Sequence, residues 1–351
     1  MVRTLELKHA GFEAKVPQVK RVKKRDWNLS ILESVDDFKI ERFQEYKELD
    51  FPVWKRAMME GIDLPDYSKK VEFSMKGFKM LDCDPEVFEI YDFEGSDRKY
   101  VLLADIFNNF DLCAKVSGDS RLDLEFSNLS IERVYLEAHG SARIVRKVQG
   151  KGTRITSERI VVKSNSKLEI VEVLDIDGVN ISNVYFHLEE GAEMVIKHLS
   201  KSGGKSVEYY LAVLRDDSSL TIDHRTVQKS GVTDALFFEK IEGRNSKARV
   251  DAKGAVKSGK VIFRGMMDLP KGVEGVDASE SFKAVLLSED ATFEAIPSIF
   301  ASENELSAQH GASSSPLSKE EIFYLSSRGL SREDIVELVV KDMIEEIESY
   351  I

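Results

Sequence analysis

The sequence predicts a mainly β fold: a parallel β-helix core flanked by N-terminal and C-terminal helical segments. Three observations lead there. From about Val71 onward strand-like runs follow one another, with no helical pattern of ten or more residues between them. Polar turns recur at a nearly constant interval. Helical spacing of apolar residues is found towards the two ends. The chain divides accordingly into an arm and helical segment (1–75), a β-helix core (76–315) and a C-terminal helical segment (316–351).

Residues 1–28 are basic and mixed, with no clear period, and read as an arm. The run Lys20–Arg25, KRVKKR, reads as a solvated segment. From Ser30 to Gly61 the pattern turns helical, with Ile31, Leu32, Val35, Phe38, Phe43, Tyr46, Phe51, Val53, Trp54 and Met58 in amphipathic groups. Pro52 suits the first turn of a helix running through VWKRAMMEG, which Gly61 would end. Asp63 to Tyr67 is a turn.

Strand-like runs begin at Tyr100–Phe107 (YVLLADIF), Arg121–Phe126 and Arg133–Ala138. They continue at Arg159–Ser164, Lys167–Leu174, Asn183–Glu190, Ala192–Leu199, Val207–Leu214, Ser219–Val227 and Ala235–Glu242. These runs are rich in β-branched and aromatic residues and alternate with period two. Turns fall at Gly140, Asn165, Gly191, Asp217 and Asn245, at intervals of 25, 26, 26 and 28 residues. A sixth, at Glu289, follows after 44, so one coil carries an insertion or an overlooked turn. A period in the twenties without a helix per repeat points to a β-solenoid. An antiparallel sandwich with hairpins at the same places is the rival.

The chain closes on two short helices. Ser318 with Glu321, and Ser331 with Asp334, have capping-box spacing. Gly329 suits the left-handed position between them. Ile335, Leu338, Val339, Met343, Ile344 and Ile347 make one apolar face that needs something to pack on. Phe323 and Tyr324, about 100° apart on a helix, allow one ring to anchor inward and the other to face out.

The net charge of −12, from 50 basic and 62 acidic residues, opposes non-specific nucleic-acid binding. Cys83 and Cys113 stand in no metal-ligand spacing and read as two buried thiols. No apolar stretch resembles a signal peptide or a membrane span, so the expected location is cytoplasmic. Gly203–Ser206, GGKS, lacks the first glycine of a phosphate loop, Leu199 standing there, and precedes a strand rather than a helix. No HExxH, CxxC or GxSxG occurs, and the acidic turn at Asp216 and Asp217 lacks the rest of a calcium loop. His139 sits beside a turn, His187, His198 and His224 in strands, and His9 in the arm. Each reads as solvent-facing or hydrogen-bonded.

His310-Gly311-Ala312, Phe323-Tyr324-Leu325 and Ser327-Arg328-Gly329-Leu330 together resemble the C-terminal signature of the SufB/SufD family. The likeness extends back through Lys247–Gly265 and Leu286–Pro297, covering the last hundred residues well and the preceding repeats more loosely. These proteins are scaffold subunits of Suf iron–sulfur cluster assembly. The resemblance implies a right-handed parallel β-helix that dimerises with a second SufB/SufD-like chain. It also implies C-terminal helices that dock a SufC-like ABC-type ATPase, through Phe323, Tyr324, Leu325, Arg328 and Leu330. His310 falls at the family's histidine, and imidazole replaces thiolate at some iron–sulfur centres. Two departures are SufD-like. Ala291 stands where SufB-type chains carry a cysteine, and Gly311 where they carry a glutamate.

Glu294 is then the nearest carboxylate for a transient iron–sulfur cluster or iron, joining His310 across adjacent coils. Glu303, Glu305 and Gln309 are weaker candidates. The expected function is a non-catalytic assembly scaffold. The alternatives are a structural partner subunit without metal, or a carbohydrate-active β-helix protein using paired carboxylates.

Overall fold

The structure, a computed structural model, describes residues 6–9, 12–15, 20–68, 70–91, 98–302 and 306–351. Strands β1 (Glu6–His9) and β2 (Phe12–Lys15) pair antiparallel. Then follow β3 (Arg21–Val22), α1 (Asp37–Glu48), β4 (Phe51–Trp54) and β5 (Met59–Glu60). Asp36 caps α1 by accepting from the Lys39 amide at 2.8 Å. The helix expected through Pro52 is not formed. Phe51–Trp54 is a strand between β3 and β5, buried at all four residues, where a surface helix would bury one stripe.

Next come β6 (Val71–Lys76), β7 (Lys79–Met80), α2 (Pro85–Ile90) and α3 (Arg98–Phe107). The expected strand at Tyr100–Phe107 is the body of α3. Residues 99–107 are all buried, so the helix carries no polar stripe by which its period could be read. Tyr100 stacks on Trp54 at 5.3 Å, and Lys99 bonds Asp26 and the Tyr46 carbonyl.

The solenoid starts with β8 (Phe110–Val116) and the long strands β9 (Asp119–Ala138), β10 (Ser141–Val162) and β11 (Lys167–Leu188). It continues as β12 (Glu193–Ser202), β13 (Lys205–Leu214), β14 (Ser219–Gln228), β15 (Val232–Ile241) and β16 (Lys247–Val256). It ends with β17 (Lys260–Leu269), β18 (Val276–Leu286), β19 (Thr292–Ala301) and β20 (Leu306–Pro316). The protein is a parallel β-solenoid of about eight turns with terminal helices. From β8 onward every pairing between solenoid strands is parallel, which rules out the sandwich. One sheet carries β12, β14, β16, β18 and β20; the other carries β13, β15, β17 and β19.

The expected turns form one corner. Gly140, Asn165, Gly191, Asp217 and Asn245 all have positive φ, between 55° and 68°. Their side chains and amides stack from coil to coil: Asn245 Nδ2 donates to Asp217 Oδ1 at 3.1 Å. The long interval to Glu289 hides an overlooked turn at Gly275, φ 69°, which stacks on Asn245. Glu289 belongs to the opposite corner, where Gly152, Gly178, Gly204, Gly231 and Gly259 run in file. A Cβ on Gly178 would lie 2.1 Å from the Gly152 carbonyl oxygen, so only glycine lets these coils close.

Stacking puts like residues in columns. Ile144, Ile170, Ile196, Ile222 and Val250 form one inward column, and Phe186, Tyr210, Phe237, Phe263 and Phe282 fill the middle. Both outer faces are covered too. The N-terminal segment packs Trp27, Tyr46, Phe51 and α3 on Ile155, Ile181, Val207 and Ile262. At the start of the solenoid β6 and β7 lie antiparallel on β9 and β8 and cover that edge.

Helices α4 (Lys319–Ser327) and α5 (Arg332–Glu348) both begin with the expected capping boxes, and Gly329 has φ 92°. Helix α5 lies on the solenoid's flank. It packs Val340, Ile344 and Ile347 on Val171, Val173, Leu199, Val227 and Leu287. Leu338, expected in the apolar face, is exposed, and Val340 takes its place. Among the described residues no helix is long and apolar enough to cross a membrane.

Cys83 and Cys113, read as two thiols, form a disulfide. It ties the segment after β7 to β8, their Cα atoms 5.3 Å apart. Thirty residues of sequence separate them, and only the antiparallel pairing of β7 with β8 brings them within bridging distance.

Candidate functional site

His310 lies on β20, the last rung. Its register neighbour on β18 is Glu280, so it continues the column Ile144–Ile170–Ile196–Ile222–Val250–Glu280. Its side chain occupies an inward-column position, yet it is exposed, because among the described residues no strand follows β20. The outer edges of β19 and β20 likewise pair with no other described strand. Position 291, an alanine, is buried in the core at the opposite corner.

Glu294 lies elsewhere. On β19 it stands beside Ile262, in the outward column that the N-terminal segment covers. Its carboxylate bonds Lys260 Nζ at 2.6 Å and Arg56 Nη1 at 2.9 Å. These partners, Lys260 first, hold its pKa below the usual carboxylate value. The two expected ligands are therefore not neighbours across adjacent coils. Strands β19 and β20 belong to opposite sheets, Glu294 faces out and His310 continues the inner column. Gln309 is exposed, and Glu303 and Glu305 lie outside the described residues.

A carboxyl pair that sequence reasoning missed sits one coil inward. Glu280 and Glu239 are 2% and 1% exposed, and among the described residues no other side chain or amide donates to any of their four oxygens. Gly265 makes room for Glu280; a Cβ there would lie 2.1 Å from Oε2. Burial pushes the pKa of Glu280 up to about 7. Burial and then the charge of Glu280 push Glu239 well above the usual value. One proton shared between them satisfies both groups. The signal was present in sequence: each glutamate interrupts an otherwise apolar inward column.

Helix α4 buries none of its residues. Phe323 is 77% and Tyr324 57% exposed, so neither ring anchors inward as expected. Arg328 lies 5.3 Å from the Tyr324 ring centroid, and Leu325 and Leu330 are half-buried. The result is an aromatic and cationic ridge held clear of the core.

The histidines divide. His139 contacts Glu137 at 3.1 Å and His187 is half-buried. His198 and His224 follow the hydrogen-bonded alternative, with Glu172 and Thr226 as partners at 2.8 Å each, and are fully buried inside the solenoid.

These features define a β-solenoid whose last rung pairs with no further strand among the described residues, with a projecting C-terminal helix. Residues 126–343 match the family described as "SUF system FeS cluster assembly, SufBD core domain". The chain belongs to the SufB/SufD family. It is 28% identical over 200 residues to an iron–sulfur cluster assembly SufBD family protein of Archaeoglobus fulgidus, covering 55% of this chain and 53% of that one. It is 31% identical over 102 residues to a SufBD family protein of Staphylococcus aureus strain USA300, 29% of this chain and 22% of that one. The matches thus span about half the length of the archaeal relative and less of the staphylococcal one.

Proposed function

We propose that this chain is a non-catalytic scaffold subunit for iron–sulfur cluster assembly. In this reading it pairs with a second SufB/SufD-like chain through the edges of β19 and β20. It presents His310 at that junction to a nascent cluster or iron, which is its cargo. One observation carries the reading: the family histidine stands exposed on a rung whose outer edge pairs with no strand among the described residues. A single imidazole falls short of the ligand set of a cluster, and thiolate is the usual ligand. The remaining ligands are then the second chain's. Glu294 contributes only if it leaves Lys260 and Arg56. Phe323, Tyr324, Leu325, Arg328 and Leu330 form the dock for a SufC-like ABC-type ATPase, supported by the exposure of α4. The working compartment in this reading is the cytoplasm.

A second reading, a structural partner subunit that holds no metal, is favoured by the disulfide, which engages both cysteines. Anaerobic reconstitution with iron and sulfide, alone and with a cysteine-bearing partner chain, separates the two. Visible absorption of a bound cluster that falls in His310→Ala supports the first. A colourless assembly supports the second.

A further inference from the structure

The solenoid interior is polar along part of its length. Arg146, Glu172, His198 and His224 form one inward column, each residue 26 positions after the last, the period of the coil. Glu208 of β13 faces this column from the other sheet. Next come Ala252 and Phe282, where the column turns apolar.

We propose that His198, Glu208 and His224 form a divalent transition-metal site inside the solenoid, with His224 three rungs and His198 four rungs from His310. His198 Nε2 lies 3.5 Å and His224 Nε2 4.0 Å from Glu208 Oε2. All three ligand atoms fall within 4.8 Å of one another. A tetrahedral ion with metal–nitrogen and metal–oxygen bonds of about 2.0–2.2 Å holds its ligands about 3.3 Å apart. His198 and Glu208 already stand near that spacing. His224 reaches it by tilting out of its stack on His198 and releasing Thr226 Oγ1, now 2.8 Å away.

The surroundings suit a metal. Glu172 Oε2 lies 2.8 Å from His198 Nδ1, the carboxylate contact that orients a ligating imidazole and leaves Nε2 to the ion. Tyr210 and Ser206 donate to the two oxygens of Glu208 at 2.9 and 2.8 Å, and Ser200 donates to Oε1. His224 Nδ1 has no hydrogen-bond partner among the described residues. Phe237 and Phe263 close the site on the apolar side.

Charge points the same way. The ionic groups buried along this stretch are Arg146 and Arg154 against Glu132, Glu158, Glu172 and Glu208. Two positive and four negative charges leave −2 once both imidazoles are neutral, as ligation requires, and that is the charge one divalent ion cancels. Uncompensated buried charge is costly. Two imidazoles and a carboxylate without thiolate select zinc or ferrous iron over calcium or magnesium. The site is separate from the cluster reading above and stands without it.

The probe is cobalt(II), which reports nitrogen and oxygen ligation by its visible bands. The full-length protein is refolded from urea with cobalt(II) and gel-filtered, and bound metal is measured by elemental analysis. The expected result is one cobalt per chain, in the parent and in His310→Ala alike. Glu208→Gln and the pair His198→Gln with His224→Gln should each hold at least about tenfold less, with unchanged circular dichroism. Should those variants misfold, X-ray absorption of the cobalt-loaded parent decides. Two imidazoles with nitrogen and oxygen ligands support the site; a sulfur ligand, or fewer than two imidazoles, overturns it. A parent that emerges free of cobalt overturns it, and so does a His310→Ala variant that loses its cobalt.

Discussion

Glu239 and Glu280 meet inside the solenoid, and among the described residues no ion pair and no donor other than the pair itself reaches their carboxyl groups. A pair so placed keeps a proton in the folded state that each glutamate would release when unfolded. The folded pKa is raised, so the stabilisation is complete below the ordinary value near 4.5. It is lost as pH rises from there through about 7. Glu280→Gln, which mimics the protonated form, should flatten that fall. At pH 8 it should be more stable than the parent by about 1–3 kcal/mol. Urea denaturation at pH 5 and pH 8 measures both slopes, and parallel slopes would refute the shared proton.

His310 lies outside the packed core, so His310→Ala should change stability by less than about 0.5 kcal/mol. Cluster or iron content after anaerobic reconstitution should nevertheless drop. Unchanged iron with matched circular dichroism removes His310 from the site. Replacing Cys83 and Cys113 by serine is the control, expected to leave iron content unaltered.

The exposed ridge on α4 gives a cleaner test of ATPase docking than truncation. Phe323→Ala with Tyr324→Ala should leave the melting temperature nearly unchanged and abolish co-purification with a SufC-like ATPase. Retention of the ATPase would move the dock to another surface. Truncation after Pro316 also strips α5 from Val171, Val173, Leu199 and Val227, so that product should aggregate. Within α5, Ile344→Ala should cost about 2–4 kcal/mol, read by denaturant titration.

The disulfide closes a loop with a sequence separation of 30 residues. Reducing it should lower stability by about 3–4 kcal/mol in the loop-entropy account. Denaturation with and without a thiol reductant checks this. Identical midpoints would mean that the N-terminal packing alone fixes this segment.

Much of the solenoid was legible in the chain, because its determinants are local. Asn165, Asp217 and Asn245 tolerate the left-handed backbone of a tight turn, and their spacing states the coil length. Ser318 with Glu321 and Ser331 with Asp334 mark two helices by contacts three residues apart. The tertiary structure decided the rest. Alternation shows that neighbouring residues face opposite sides of a strand. Here both sides are covered, by packed core on one and by the N-terminal segment or α5 on the other, so alternation cannot say which side is the interior. Inter-coil register settled that. It sent Glu294 outward to Lys260 and Arg56, left His310 at the end of the inner column, and stacked Glu172, His198 and His224 in file. Burial on every side likewise removed the helical stripe from Tyr100–Phe107, and pairing of distant strands joined Cys83 to Cys113. These outcomes depend on contacts between residues tens of positions apart, which no local pattern encodes.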